Sequence, residues 1–154
     1  MIKETTIFLA QEEDTLLLGR KLAKNLPQGL LIFLRGDLGA GKTTLVRGLL
    51  ATLGHIGSVK SPSYNLIEQY QINNVNLNHI DLYRFNSPEE WVSAGFNEFI
   101  NDLDVTMIEW AEKAKGVLCE PDVMVEILYE KSGGREASIY SFSKKGTKYC
   151  SGLT

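Results

Sequence analysis

The stretch that most restricts the fold is an apolar run, Leu30-Leu31-Ile32-Phe33-Leu34-Arg35, that breaks directly into Gly36-Asp37-Leu38-Gly39-Ala40-Gly41-Lys42-Thr43-Thr44. Gly36, four residues and then Gly41-Lys42-Thr43 satisfy the GxxxxGK[ST] pattern of a phosphate-binding loop. The setting also agrees, with strand-like residues before and a helix-like run, Thr44 to Leu53, after. Glycines let successive backbone N–H groups turn inward around an anion, and a helix opening near Lys42 adds the positive end of its dipole. The expected cradle comprises Asp37, Leu38, Gly39, Ala40, Gly41, Lys42, Thr43 and Thr44. Lys42 would reach the β and γ phosphates, and the Thr43 hydroxyl would hold a magnesium ion between them. A strand without polar alternation is covered on both faces, as the central strand of an α/β sheet is. The expected fold is therefore a three-layer P-loop NTPase.

The rest of the chain supplies matching elements. Residues 3 to 9 read as an edge strand, and Gln11-Glu12-Glu13-Asp14 opens a helix running to about Asn25, with Leu18, Leu22 and Leu26 on one face. Gly54 stops the helix after the loop. Gly54 to Ser63, rich in Gly, Ser and Pro, lies where many such proteins keep a mobile switch, though it also reads as an ordinary connector. Tyr64 to Ile72 and Val75 to Leu82 form a hairpin across Asn73-Asn74, because asparagine tolerates positive φ, and this makes the sheet mixed. Ser87-Pro88-Glu89-Glu90 is a capping box that starts helix broken near Gly95. Val105 to Ile108 is a buried strand ending in Glu109-Trp110, and Asp122 to Tyr129 pairs with Glu136 to Phe142.

At 154 residues with 44% hydrophobic and 23% charged side chains, the chain suits one core, hence a single P-loop ATPase domain over residues 1–154. A net charge of -3 argues against broad nonspecific nucleic-acid binding. No apolar run approaches the ~20 residues of a bilayer span and none resembles a signal peptide, so a cytoplasmic protein without membrane contact is expected. Cys119 and Cys150 stand far apart without companions at metal-site spacing, which argues against a disulfide framework or zinc site.

A phosphate loop works with a carboxylate at the end of a neighbouring strand. Asp81 and Glu109 both close strand-like runs. Glu109 is assigned to the strand beside the loop strand, as metal-shell carboxylate or water-orienting base, and Asp81 to a metal-side role from the hairpin; an exchange of these roles stays open. His55 and His79 lack a nucleophile signature and read as structural. Trp110 either packs in the core or stacks on a nucleotide or a partner, and Arg84 is either a charge-stabilising or a surface arginine. The guanine signature Asn-Lys-x-Asp is missing, since Asn101-Asp102-Leu103-Asp104 lacks the lysine, so ATP is the expected nucleotide. A small-metabolite kinase and a nucleotide-gated adaptor are the rival readings; the arginines do not cluster into a kinase-like lid.

Taken in order, Gly36 to Thr44, Ser61-Pro62-Ser63-Tyr64, His79-Ile80-Asp81-Leu82-Tyr83-Arg84 and Ile108-Glu109-Trp110 resemble the bacterial TsaE proteins over nearly the whole chain. These are small ATPases needed for threonylcarbamoyladenosine formation on transfer RNA. The resemblance implies ATP with Mg2+ near Thr43 and Glu109, and functional weight on Asp81 and Trp110. It also implies a switch-like segment at Lys60 to Tyr64, where Ser63 replaces the family's common threonine, and places Glu12, Thr15 and Arg135 near adenine or ribose. It further implies two protein partners, TsaD and TsaB, through whose complex alone tRNA is reached and which hydrolysis resets between turnovers.

Overall fold

An unbroken apolar run has to be covered on both sides, and in the computed structural model, which describes residues 1–153, Leu31–Arg35 is the middle strand of a seven-stranded sheet. Thr154, the last residue of the expected domain, lies outside the described residues. In chain order the elements are β1 (Ile2–Leu9), α1 (Glu12–Ala23), β2 (Leu31–Arg35), α2 (Lys42–Leu53), β3 (Ile67–Ile72), β4 (Val75–Asp81), α3 (Glu89–Ser93), β5 (Val105–Glu109), β6 (Val123–Tyr129), β7 (Arg135–Ser141) and α4 (Lys144–Ser151), with 3-10 turns at Phe96–Phe99 and Ala111–Ala114. The strand order is β1-β7-β6-β2-β5-β4-β3. β6, β2, β5 and β4 run parallel, while β3, β7 and β1 add antiparallel edges, so the sheet is mixed as expected.

Alternation along β2 divides the core. Ile32 and Leu34 face Leu18, Leu22, Leu45 and Leu49 of α1 and α2, while Leu31 packs with Trp91 of α3 and Phe96 on the other face. Burying each such leucine contributes about 1.5–3 kcal/mol. Where α1 crosses α2 the helices touch backbone to backbone: a Cβ on Gly19 would sit 2.2 Å from the Leu45 carbonyl, and one on Gly48 2.4 Å from that of Leu16. The seam sets the height of α2, and so of the loop that opens it, above the sheet.

Two local expectations change, and one helix is unexpected. β3 begins at Ile67 rather than Tyr64, because Leu66 takes φ 66° and its carbonyl accepts from the Asp81 N–H, leaving Tyr64 outside the ladder and 81% exposed. The Ser87 box is half made: the Glu90 carboxylate accepts from the Asn86 and Ser87 N–H groups, but the helix opens at Glu89 with Pro88 as its cap residue, so Ser87 stands one position before the cap. Helix α4 is not legible as an apolar stripe. It rests on a Ser143 cap that accepts from the Gly146 N–H at 2.9 Å and on Tyr149, which donates to the Leu22 carbonyl. Cys150 is buried there, its thiol pushed up to about 11 by burial, whereas Cys119 is exposed; both are free. The Asn73 turn is as expected, at φ 54°. Among the described residues no helix is long and apolar enough to cross a membrane.

Candidate functional site

Strand β2 ends at Arg35 and the chain turns at once into the glycine loop. Gly36 comes so close to β6 that a Cβ would lie 2.7 Å from the Ile127 carbonyl, which excludes any larger residue. Gly41 caps α2 at φ 111°, a conformation that side chains other than glycine's strongly disfavour, and leaves the first amides of α2 open to an anion. Parallel pairing of β2 with β5 sets Leu34 opposite Glu109, and β5 with β4 sets Glu109 opposite Asp81. Both carboxylates thus stand in line beside the loop, each nearly buried.

Lys42 is the hub. Its Nζ donates to the Gly36 carbonyl at 2.6 Å, lies 3.5 Å from Glu109 Oε1 and sits 4.4 Å over the ring of Trp110. Glu109 Oε2 is 2.6 Å from His79 Nε2, in the interior of the sheet. Trp110 reaches its place through a left-handed backbone, φ 59°, which a bulky residue adopts only at a cost of about 1–3 kcal/mol. That turn folds the indole back over Lys42 and against Tyr83, whose ring centroid is 5.1 Å away.

Leu38, Gly39, Gly41, Lys42, Thr43, Thr44, Asp81, Glu109 and Trp110 of the expected residues line a cavity of about 230 Å³, which Ser61, Ser63 and Tyr83 complete. Ser61 and Ser63 thereby bring the expected switch segment to the phosphate loop. Asp37 and Ala40 do not line it; Ala40 is buried under the loop and Asp37 is exposed. Glu12, Thr15 and Arg135 meet Gly39, Gly41 and Thr44 around an adjoining cavity of about 200 Å³. Arg135 donates to the Gly39 carbonyl at 3.0 Å, while Glu12 is paired with Arg47 at the surface. Arg84 stacks on exposed Tyr64, 4.3 Å from its centroid, and does not line the cavity. His79 is the residue that sequence reasoning passed over. The signal was its two-residue spacing from Asp81, which puts both on one face of β4, but its partner is fixed by the β4–β5 register.

Burial, against the Tyr83 N–H that donates to Oδ1 at 2.8 Å, pushes the Asp81 carboxyl above its ordinary range, and the charge of Glu109 adds to this. A raised carboxyl contributes stability below its unfolded pKa and loses it as pH climbs through the folded value, so at neutral pH Asp81 costs the metal-free protein stability. Asp81→Asn, which keeps an acceptor for Tyr83, is expected to melt above the parent at pH 7, the gain shrinking toward pH 4. Thermal melts across that range check it; an equal or lower Tm at pH 7 counts against the argument.

A central parallel strand running into a glycine loop and helix, with carboxylates at the ends of the next strands, defines a P-loop NTPase fold. A crystal structure of Bacillus subtilis YdiB has this architecture too, matching with a TM-score of 0.85 at 25% identity over 99% of this chain and 95% of that one. The model of the family described as threonylcarbamoyl adenosine biosynthesis protein TsaE matches residues 9–137, and the chain belongs to the TsaE family. Proteins named tRNA threonylcarbamoyladenosine biosynthesis protein TsaE are similar to it over most of their length. That of Haemophilus influenzae is 41% identical over 133 residues, covering 83% of this chain and 84% of the relative. That of a Nostoc species is 38% identical over 145 residues, covering 90% and 87%.

Proposed function

We propose that this chain is a single-domain, Mg2+-dependent ATPase of tRNA threonylcarbamoyladenosine biosynthesis, slow alone, working in the cytoplasm with TsaB and TsaD and reaching tRNA only through them. Family membership supports the pathway. The observation that carries the chemistry is the buried Lys42 ammonium, gathered between the first carbonyl of the phosphate loop and the carboxylate of the neighbouring strand.

The donor set fits a hard cation: Thr43 offers a hydroxyl and Asp81 and Glu109 offer carboxylates, all on one cavity. Among the described residues no group of three or more His, Cys, Asp or Glu could hold a metal by itself, which matches an ion that takes the rest of its ligands from phosphate and water. Bound there, magnesium would neutralise charge on the β and γ phosphates. Lys42 turns from Gly36 to the phosphates, the amides opening α2 hold their oxygens, and freed Glu109 or neighbouring Asp81 orients the attacking water. Trp110 walls the phosphate side against solvent. Thr15 and Arg135, with Glu12 at the rim, bound the space next to Gly39 and Gly41 that the ribose and adenine would occupy. Ser63 keeps the hydroxyl of the switch segment at the cavity. Hydrolysis would reset the partner complex between turnovers.

Phosphate release measured with and without the TsaB and TsaD complex tests this. Faster release with the complex is the expected result. Unchanged release, or labelled γ-phosphate appearing on a small metabolite instead of water, overturns it.

A further inference from the structure

We propose that His79 is a positioning residue that holds Glu109 in place by donating its Nε2–H to Oε2, so that Oε1 alone is left for the reaction; this rests on the ATPase reading above. His79 is completely buried, and its Nε2 lies 2.6 Å from Glu109 Oε2. Its Nδ1 is also buried and has no hydrogen-bond partner among the described residues. A proton on Nδ1 alone would leave two lone-pair atoms, Nε2 and Oε2, facing each other at 2.6 Å. Nε2 is therefore the donor to the carboxylate.

The consequence appears when Lys42 leaves. Lys42 contacts the opposite oxygen, Oε1, at 3.5 Å, and it must swing from Gly36 and Glu109 to reach a phosphate. Without a second tie the carboxylate could follow the ammonium or rotate about its terminal torsion, which is broad for glutamate. The bond from His79 anchors Oε2 to β4, next to Asp81 two residues on, and keeps Oε1 directed into the cavity. Histidine on one strand thus determines which oxygen of the neighbouring strand's carboxylate does chemistry. Asp81 is tied differently, through Oδ1 to the Tyr83 N–H of its own chain turn.

Two measurements test this separately from the ATPase reading. Nitrogen-15 spectra of the full chain without nucleotide should show a proton on His79 Nε2, with its signal displaced in Glu109→Gln; a bare Nε2 overturns the proposal whatever the activity. In single-turnover hydrolysis with the partner complex, His79→Leu should lower the rate about 10–100-fold with nucleotide affinity held within about twofold, as loss of an outer-shell orienting bond does. His79→Gln, which keeps an N–H donor, should recover most of it. An unchanged rate in His79→Leu, or a parallel loss of affinity and of cooperative melting in both variants, reduces His79 to packing. If instead Glu109→Ala hydrolyses as fast as the parent, it is the catalytic assignment of Glu109 that fails, while the spectra still decide the bond.

Discussion

Replacing Lys42 by alanine is expected to lower phosphate release about 10²–10³-fold, the loss that follows removal of one preorganised charge-stabilising group. The side chain is 6% exposed and its contacts in this structure are all at the mouth of the phosphate loop. In a site shielded from water a positive charge is worth more than in solution, and here the amides at the start of α2 are left to carry the phosphates alone. The fold should survive, because Glu109 keeps the His79 bond when its other neighbour goes. Rapid-quench hydrolysis and circular dichroism on the same preparation check both halves. Hydrolysis within a few-fold of the parent would remove Lys42 from the mechanism.

The largest stability effect is expected at the α1–α2 seam. Alanine at Gly48 would gain up to about 1 kcal/mol in helix propensity, and at a solvent-facing position it would stabilise. Here its Cβ would lie 2.4 Å from the Leu16 carbonyl and 3.0 Å from the Leu16 Cα, atoms of backbone that cannot rotate away. The helices must separate, and forced overpacking of this kind costs typically 1–3 kcal/mol, occasionally more. With rigid backbone on both sides the upper end applies. We expect a net loss of about 2 kcal/mol, or roughly 4–8 °C in Tm for a chain of this size. Since α2 begins at the phosphate loop, nucleotide affinity should weaken in parallel. Calorimetry with and without nucleotide separates the two effects, and a Tm at or above the parent's would show that the seam yields.

Much of the site was legible because its signals are local. The spacing from Gly36 to Thr43 encodes a turn, a cap and a side chain within eight residues, and the apolar runs before it and before Glu109 announce buried strands whatever their neighbours. Asn73 and Gly95 take the positive φ that their turns require. The start of β3 and the C-terminal helix were not legible, since Tyr64 follows strand propensity until Leu66 turns the chain, and α4 is held by Ser143 and Tyr149 rather than by an apolar stripe.

By itself the chain order determined a phosphate cradle, a mixed α/β sheet and two carboxylates at strand ends, because each depends on residues a few positions apart. Tertiary structure alone decided what those groups touch. Strand order placed β5 directly beside β2, parallel register set Glu109 across from Asp81 and within reach of His79, and two glycines let α1 and α2 close until Lys42 met Glu109 and Trp110. Contacts between residues so far apart in sequence depend on how strands pair and how closely helices pack, and no local pattern carries that information.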